Sequence, residues 1–167
     1  MYNDKPHGRG ILALNNEVYF GCFRRGRYEG SGLYIYSDGG YYIGSWKSGE
    51  FSGLGKFSKI DGYKYRGQWE QNKESGEGKA TFANGDRFKG RFKAGKKDEG
   101  TLYYQNGGKY TGKFAAGLRT GQATFTDEHR TKYVGVFDAT GELTGTVKVT
   151  AKNGETTVKQ YKSGQEL

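Results

Sequence analysis

Apolar and polar positions alternate through most of this chain, and glycine-containing turns interrupt the alternation at regular intervals. In residues 65–71, YRGQWEQ, an aromatic residue, a glycine and a second aromatic residue occupy every other position. Successive side chains of a strand point to opposite faces of the sheet, so these three residues share one face. The pattern therefore predicts β-strands with one face made of rings and glycine.

The same outline recurs with a nearly constant period. If the leading aromatic residue is position 0, the copies begin at Tyr19, Tyr42, Tyr65, Phe88, Tyr110 and Tyr133, with spacings of 23, 23, 23, 22 and 23 residues. Position 2 is glycine in every copy, and position 4 is Phe23, Trp46, Trp69, Phe92, Phe114 or Phe137. This period indicates a repeat architecture, in which a glycine between two rings leaves bare backbone for a neighbouring ring.

Each copy continues into a second strand. A short turn and a Gly-x-Gly pair such as Gly53 and Gly55 follow the first strand, and we expect the chain to reverse there. The expected residues on the ring face of the second strands are Tyr34, Tyr36, Phe57, Phe82, Leu102, Tyr104, Phe125, Val147 and Val149. The copies end in dipeptides typical of tight turns, namely Asp38-Gly39, Asp61-Gly62, Asn84-Gly85, Asn106-Gly107 and Asn153-Gly154. Each copy is therefore predicted to be a hairpin.

The predicted fold is all-β, an elongated single-layer antiparallel sheet of consecutive hairpins that is right-twisting and open-ended. We expect about 13 or 14 strands, roughly 60 Å along the pairing direction, and negligible helix.

The landmarks in residues 42–92, Tyr-x-Gly-x-Trp/Phe, then Gly-x-x-x-Gly-x-Gly and a turn glycine, resemble the MORN (membrane occupation and recognition nexus) repeats. The resemblance extends over roughly residues 7–150 and weakens from the fourth copy, which lacks one residue and keeps only Gly100 of the Gly-x-Gly pair. It implies a binding module associated with protein scaffolding, dimerisation and attachment near membranes, and a link to anionic lipids is often proposed. Such arrays also flank catalytic domains, so a regulatory repeat region of a larger enzyme is a further alternative, although no catalytic domain is present in this sequence.

The predicted organisation is one repeat array over residues 1–167. Residues 1–18 form a partial repeat, the six copies follow, and residues 151–167 form a cap or tail whose final KSGQEL frays. Two explanations of the partial repeat stay open: residues 1–6 supply a capping strand, or the array begins inside a longer one.

Composition narrows the expected location and chemistry. Cys22 is the single cysteine, and neither a signal peptide nor a run of about 20 apolar residues is present, which favours a cytoplasmic protein, at most peripheral to a membrane or cytoskeleton. His7 and His129 lie in different copies, and no spacing of residues indicates a nucleophile, a metal site or a cofactor. The chain is predicted not to be an enzyme.

A partner-binding groove is the first predicted interaction surface. Rings of the first strands, partly exposed at their edges, would hold a segment of a partner protein, with Trp46 and Trp69 as anchors. The predicted groove residues are Tyr19, Phe23, Tyr42, Trp46, Tyr65, Trp69, Phe88, Phe92, Tyr110 and Phe114.

A self-association surface is the second prediction. The first copies are apolar on the face opposite the rings as well, where Phe20, Cys22, Leu33 and Ile35 lie. Exposed apolar patches usually mark contacts, so we expect a surface for self-association, as a homo-oligomer, or for a partner; the alternative is a cover formed by the N-terminal residues or by a loop.

A basic surface is the third prediction, since the net charge is +9. Arg87, Lys89, Arg91 and Lys93 alternate with the rings of one strand, and Lys96 and Lys97 follow in its turn. These cations are either solvated charges or a docking surface for anionic phospholipid, including phosphoinositide. Nucleic acid is disfavoured as a partner, because the repeat itself needs the rings on which bases would stack.

Overall fold

The computed structural model describes residues 5–167, and their regular structure consists entirely of strands. The strands are β1 Gly8–Leu14, β2 Glu17–Arg24, β3 Arg27–Ile35, β4 Tyr41–Lys47, β5 Glu50–Ser58, β6 Lys64–Glu70, β7 Lys73–Thr81, β8 Arg87–Lys93, β9 Lys96–Tyr103, β10 Lys109–Ala115, β11 Leu118–Thr126, β12 Lys132–Phe137, β13 Leu143–Thr150, β14 Thr156–Lys162 and β15 Gln165–Glu166. They follow one another in chain order in one open antiparallel sheet, which confirms the predicted all-β hairpin array.

The two ends of the chain were expected to form a frayed C-terminal tail and, in one of two explanations, an N-terminal capping strand. The described residues form fifteen strands, more than expected, in part because Gln165 pairs with Lys162 where fraying was predicted. The suggested capping strand at residues 1–6 lies largely outside the described residues, although Pro6 accepts a backbone hydrogen bond from Gly26 at 2.9 Å. Residues 5–167 contain no helix long and apolar enough to cross a membrane.

The chain divides into two compact units. The first ends at Ala83 and holds β1 to β7, and the second starts at Asn84 and holds β8 to β15.

Two kinds of turn alternate within each unit. In the two-residue turns both residues have positive φ, as at Ser48 (55°) and Gly49 (91°), which matches the twist of paired strands. In the longer turns a side chain accepts a backbone hydrogen bond two residues on, as Asp38 does from the Gly40 amide at 2.8 Å. The turns predicted from the Asp-Gly and Asn-Gly dipeptides are thereby confirmed.

The expected reversal is confirmed at the short turn, but the Gly-x-Gly pair after it does not take part and lies inside the second strand. Gly44 pairs with Gly55 and Ser45 pairs with Ser52, so β5 carries two extra residues and the pair forms a bulge inside the strand. Gly53 has a φ of 61°, a conformation that glycine adopts without strain. The reversal lies earlier, at the two-residue turn.

The bulge also explains the shorter fourth copy. Arg91 pairs with Glu99 and Phe92 with Lys97, so only one extra residue remains in β9. Gly90 still pairs with Gly100, and the hairpin is preserved. The missing residue has therefore been lost from the bulge.

In the first four copies the core is built by laying the leading ring on the backbone of a glycine pair. Tyr42 covers Gly44 and Gly55, and a Cβ atom on Gly55 would lie 2.5 Å from the Tyr42 hydroxyl oxygen. That hydroxyl donates a hydrogen bond to the Ser45 carbonyl at 2.8 Å, and Trp46 packs edge-on against the ring at 5.2 Å. Each of these four copies therefore closes its own core through a side chain and a bare stretch of backbone, whereas Ala123 faces Gly112 in the fifth copy and Val147 lies against Gly135 in the sixth.

Burial of these hydroxyls predicts a loss of stability in alkali. It raises the pKa of Tyr19 and of Tyr42 from 10.0 to about 12. The unfolded chain releases these protons near pH 10, so their stabilising contribution is complete below about pH 10 and is lost as pH rises towards 12. We expect the urea midpoint to fall over that interval, and to fall less steeply in Tyr42→Phe, which keeps the ring. A midpoint that stays constant up to about pH 12, with tyrosinate absorbance rising near pH 10, would contradict this description of the core.

Candidate interaction surfaces

The ten predicted groove residues form the hydrophobic core. Each exposes 6% or less of its surface, so the expectation that their edges are partly exposed is wrong for Tyr19, Phe23, Tyr42, Trp46, Tyr65, Trp69, Phe88, Phe92, Tyr110 and Phe114. The reason is that rings of adjoining hairpins cover one another, as Phe51 stacks on Tyr42 at 3.7 Å and Trp69 packs edge-on against it at 5.4 Å. The surfaces of these rings are therefore not exposed to a partner.

An aromatic rim lies beside the core of the first unit. We use this name for five half-buried rings near the longer turns: Tyr34, Tyr36, Phe57, Tyr63 and Phe82. Successive ring centroids are 4.9, 6.0, 6.4 and 5.9 Å apart, so the rings form a continuous ladder. Four of them were assigned to the ring face from the sequence, whereas Tyr63 was missed, although it directly follows the Asp61-Gly62 turn.

Two hydroxyls of the aromatic rim are held by carboxylates. Tyr34 donates a hydrogen bond to Glu17, and Tyr63 donates one to Glu74 Oε1 at 3.0 Å. Burial is the main reason that the pKa of each tyrosine is raised, and the neighbouring carboxylate raises it further. The orientations of Tyr34 and Tyr63 are therefore fixed by their carboxylate partners.

The residues at position 9 of the copies differ between the two units and make their ring faces different. The residues there are Tyr28, Phe51, Glu74, Lys97, Arg119 and, after one additional residue, Leu143. In the first unit, Tyr28 stacks on Tyr19 with a centroid distance of 3.8 Å. In the second unit, the Lys97 amino group lies 4.8 Å from the Phe114 centroid, and the Arg119 guanidinium lies 4.8 Å from that of Phe137. Lys97 and Arg119 therefore occupy the position at which Tyr28 and Phe51 stack on rings in the first unit. Sequence reasoning missed this difference, although it is visible when the copies are aligned.

A cavity of about 650 Å³ accompanies these cations, and we call it the second-unit groove. Its floor contains Leu102, Tyr104, Phe114 and Phe125 beside the two position-9 cations. It extends between turns at opposite ends of the strands, since residues 127–129 and residues 140–142 both line it.

The opposite face of the first unit, its back face, carries the predicted self-association residues. One row of paired residues crosses all seven strands and changes from apolar to cationic: Ile11, Phe20, Leu33, Ile43, Lys56, Arg66 and Lys79. Phe20 is 41% exposed, and Cys22, Leu33 and Ile35 are half-buried. The apolar part of this face is therefore accessible in the part of the chain that the structure describes.

The predicted basic surface is divided between two faces. Arg87, Lys89, Arg91, Lys93 and Lys96 are exposed, and Arg91 forms ion pairs with Asp98 and Glu99. The prediction that Lys97 belongs to this basic surface was wrong. Residues 96 and 97 are adjacent in β9 and must point to opposite faces, which places Lys97 over the ring of Phe114.

The fold and the repeated ring-on-glycine core define a β-hairpin repeat protein. Residues 1–16, 19–41, 42–62, 65–87 and 110–128 match the MORN repeat family, together more than half of the chain. The chain therefore belongs to the MORN repeat family. The fourth copy, residues 88–109, is not among the matched segments but forms the same hairpin.

The chain is also similar in fold to solved structures. The chain is similar to the TCP domain of SAS-4 (dCPAP) of Drosophila melanogaster, solved in complex with a proline-rich motif of Ana2 (dSTIL). The sequence identity is 13% and the TM-score is 0.45, over 95% of this chain and 88% of that chain. No curated protein shows significant sequence similarity.

Self-association through the back face gives a testable prediction. We expect Phe20→Glu to shift a dimer to monomer in light scattering at high protein concentration, because each protomer would lose roughly 1.5–3 kcal/mol of apolar burial. Gln68→Glu, on the same face outside the apolar part, introduces the same charge and should leave the mass unchanged. A monomer before and after the Phe20 substitution would show that this surface does not self-associate.

Proposed function

We propose that this chain is a non-enzymatic protein-interaction module whose aromatic rim binds an extended segment of a partner protein. The observation that carries the proposal is the continuous ladder of five half-buried rings on one face of the first unit. Repeat proteins commonly use one extended surface in this way.

Aromatic side chains are well suited to this role. Each buries a large apolar area on contact, and truncation of a central aromatic anchor typically costs 2 kcal/mol or more, as a rough guide. Contact with neighbouring rings and the bonds to Glu17 and Glu74 already restrict Tyr34 and Tyr63. Binding therefore loses little additional side-chain entropy.

Attachment to an anionic membrane is the competing hypothesis. The exposed cations of β8 favour it, and each would contribute about 1 kcal/mol near such a surface. Asp98 and Glu99 neutralise part of this charge through Arg91. Membrane attachment would weaken steeply with salt, whereas contact through rings would not.

The test compares three forms of the protein in capture of a partner from cell extract, followed by affinity measurement with the recovered partner. We expect Tyr36→Ser combined with Tyr63→Ser to weaken binding by roughly 2 kcal/mol or more, since two ring contacts are lost. Tyr41→Ser is the matched control, because Tyr41 is a 40% exposed tyrosine on the back face. Urea unfolding of each variant checks that the fold is retained.

Two results would contradict the proposal. Binding that is unchanged in the rim variant, or reduced equally by Tyr41→Ser, would exclude the aromatic rim as the partner surface. Binding that disappears at moderate salt and is unchanged by the rim substitutions would favour attachment to an anionic membrane.

A further inference from the structure

Glu17 lies at the start of β2 on the ring face of the first unit, next to the aromatic rim. It is half-buried, and its carboxylate accepts a hydrogen bond from the Tyr34 hydroxyl. It takes part in none of the ion pairs formed among residues 5–167. Carboxylates that are withdrawn from water are normally paired with a cation, so Glu17 is suited to receive one from a ligand.

Three tyrosine rings stand beside this carboxylate, and we call the four residues the Glu17 site: Glu17, Tyr28, Tyr34 and Tyr36. The Tyr34 centroid lies 6.0 Å from that of Tyr28 and 4.9 Å from that of Tyr36, with the ring planes tilted by 59° and 57°. All three rings are half-buried, so part of each is accessible. The faces of aromatic rings attract cations, and an adjacent carboxylate adds to this attraction.

The electrostatics of the Glu17 site also favour a cation. Burial raises the pKa of Tyr28 and of Tyr36, and the negative charge of Glu17 raises both further. Asp38, in the turn after β3, adds to the upward pKa shift of Tyr36. In the part of the chain that the structure describes, the charged groups that act on these two tyrosines are therefore acidic. This end of the aromatic rim attracts a basic ligand and repels an acidic one.

The fourth copy shows how the chain itself can place a cation near an acid at the same point of the repeat. Asp86, like Glu17, stands two residues before the leading aromatic residue of its copy. Lys97 is at position 9 of that copy; burial lowers the pKa of its amino group, and the attraction of Asp86 opposes this shift. Position 9 of the first copy is Tyr28, which supplies no positive charge. The first copy therefore lacks the cation that the fourth copy provides.

We propose that the partner segment on the aromatic rim carries a basic side chain, of arginine or lysine, that enters the Glu17 site and pairs with its carboxylate. The Glu17 site adjoins the rim, so this assignment rests on the proposed function and names the chemistry of one ligand residue. Side chains on one face of an extended segment repeat about every 6.6 Å. This repeat is close to the 6.0 Å between the centroids of Tyr36 and Phe57 and the 6.4 Å between those of Phe57 and Tyr63. A segment with its basic residue at one end, followed by apolar residues at every second position, therefore matches the site and the rim.

The experiment titrates the isotope-labelled full chain with two capped peptides and follows NMR chemical shifts. One peptide is Arg-Ser-Leu-Ser-Leu-Ser, and the other has citrulline, the neutral isostere of arginine, in place of Arg. We expect saturable shifts at the Glu17 site and the rim at millimolar peptide, with the citrulline peptide bound roughly tenfold more weakly, since one charge-assisted contact is lost. Glu17→Gln still accepts the hydrogen bond of Tyr34. It should reduce the affinity for the arginine peptide by the same factor and leave the citrulline peptide unaffected.

Glu50→Gln is the matched control, because Glu50 is an exposed carboxylate on the back face, and it should bind both peptides like the unaltered chain. Three results would each overturn the assignment: equal affinity for the two peptides, no saturable shift at the Glu17 site, or unchanged binding of the arginine peptide to Glu17→Gln. Urea unfolding checks that this variant is folded. If it is not, the comparison of the two peptides on the unaltered chain decides the outcome.

Failure of this assignment can be told apart from failure of the proposed function. Two peptides that bind equally, and that are both weakened by Tyr36→Ser combined with Tyr63→Ser, would overturn the requirement for a basic residue and support the rim as the partner surface. A recovered partner that loses affinity for the rim variant but not for Glu17→Gln would lead to the same conclusion. Partner binding that is unchanged by the rim variant would overturn both proposals.

Discussion

The contact between a leading ring and a pair of facing glycines is the constraint on which the rest of this structure depends. A single-layer sheet has no second layer to cover its apolar face, so the hairpins with a glycine pair fold their leading ring onto their own backbone. Tyr65 covers Gly67 and Gly78 as Tyr42 covers its own pair, and its hydroxyl donates to the Gln68 carbonyl at 2.9 Å. The spacing of aromatic and glycine residues follows from this contact.

The positions beside this contact are free to vary, and they give each unit its surface. Tyr28 and Phe51 at position 9 stack on the leading rings of the first two copies, whereas Lys97 and Arg119 border a charged groove in the second unit. The same backbone can therefore present an aromatic surface in one unit and a charged one in the other.

The fold could be predicted because alternation with a period of two residues and Asx-Gly turns are local signals. The exposure of the ring-face residues could not be predicted. The sequence shows which face of the sheet Trp46 occupies, but it does not show that the rings of adjoining hairpins cover this side chain. The bulge at the Gly-x-Gly pair could not be told apart from the turn before it, because glycine is common in both. Only the pairing of Ser45 with Ser52 shows that these glycines lie inside the strand. The placement of Lys97 was predictable from alternation alone, since it is adjacent to Lys96 in the same strand.

The stability of Gly55→Ala relative to Gly10→Ala is the measurement that tests this account most directly. Both glycines lie in strands of the first unit, but a Cβ atom on Gly10 would meet its nearest neighbour, Phe23, at an ordinary 3.4 Å. We expect Gly55→Ala to lower the free energy of unfolding by roughly 1–3 kcal/mol through displacement of Tyr42, and Gly10→Ala to change it by less than about 0.5 kcal/mol. Equal effects of the two substitutions would contradict the claim that the ring-on-glycine contact sustains the fold.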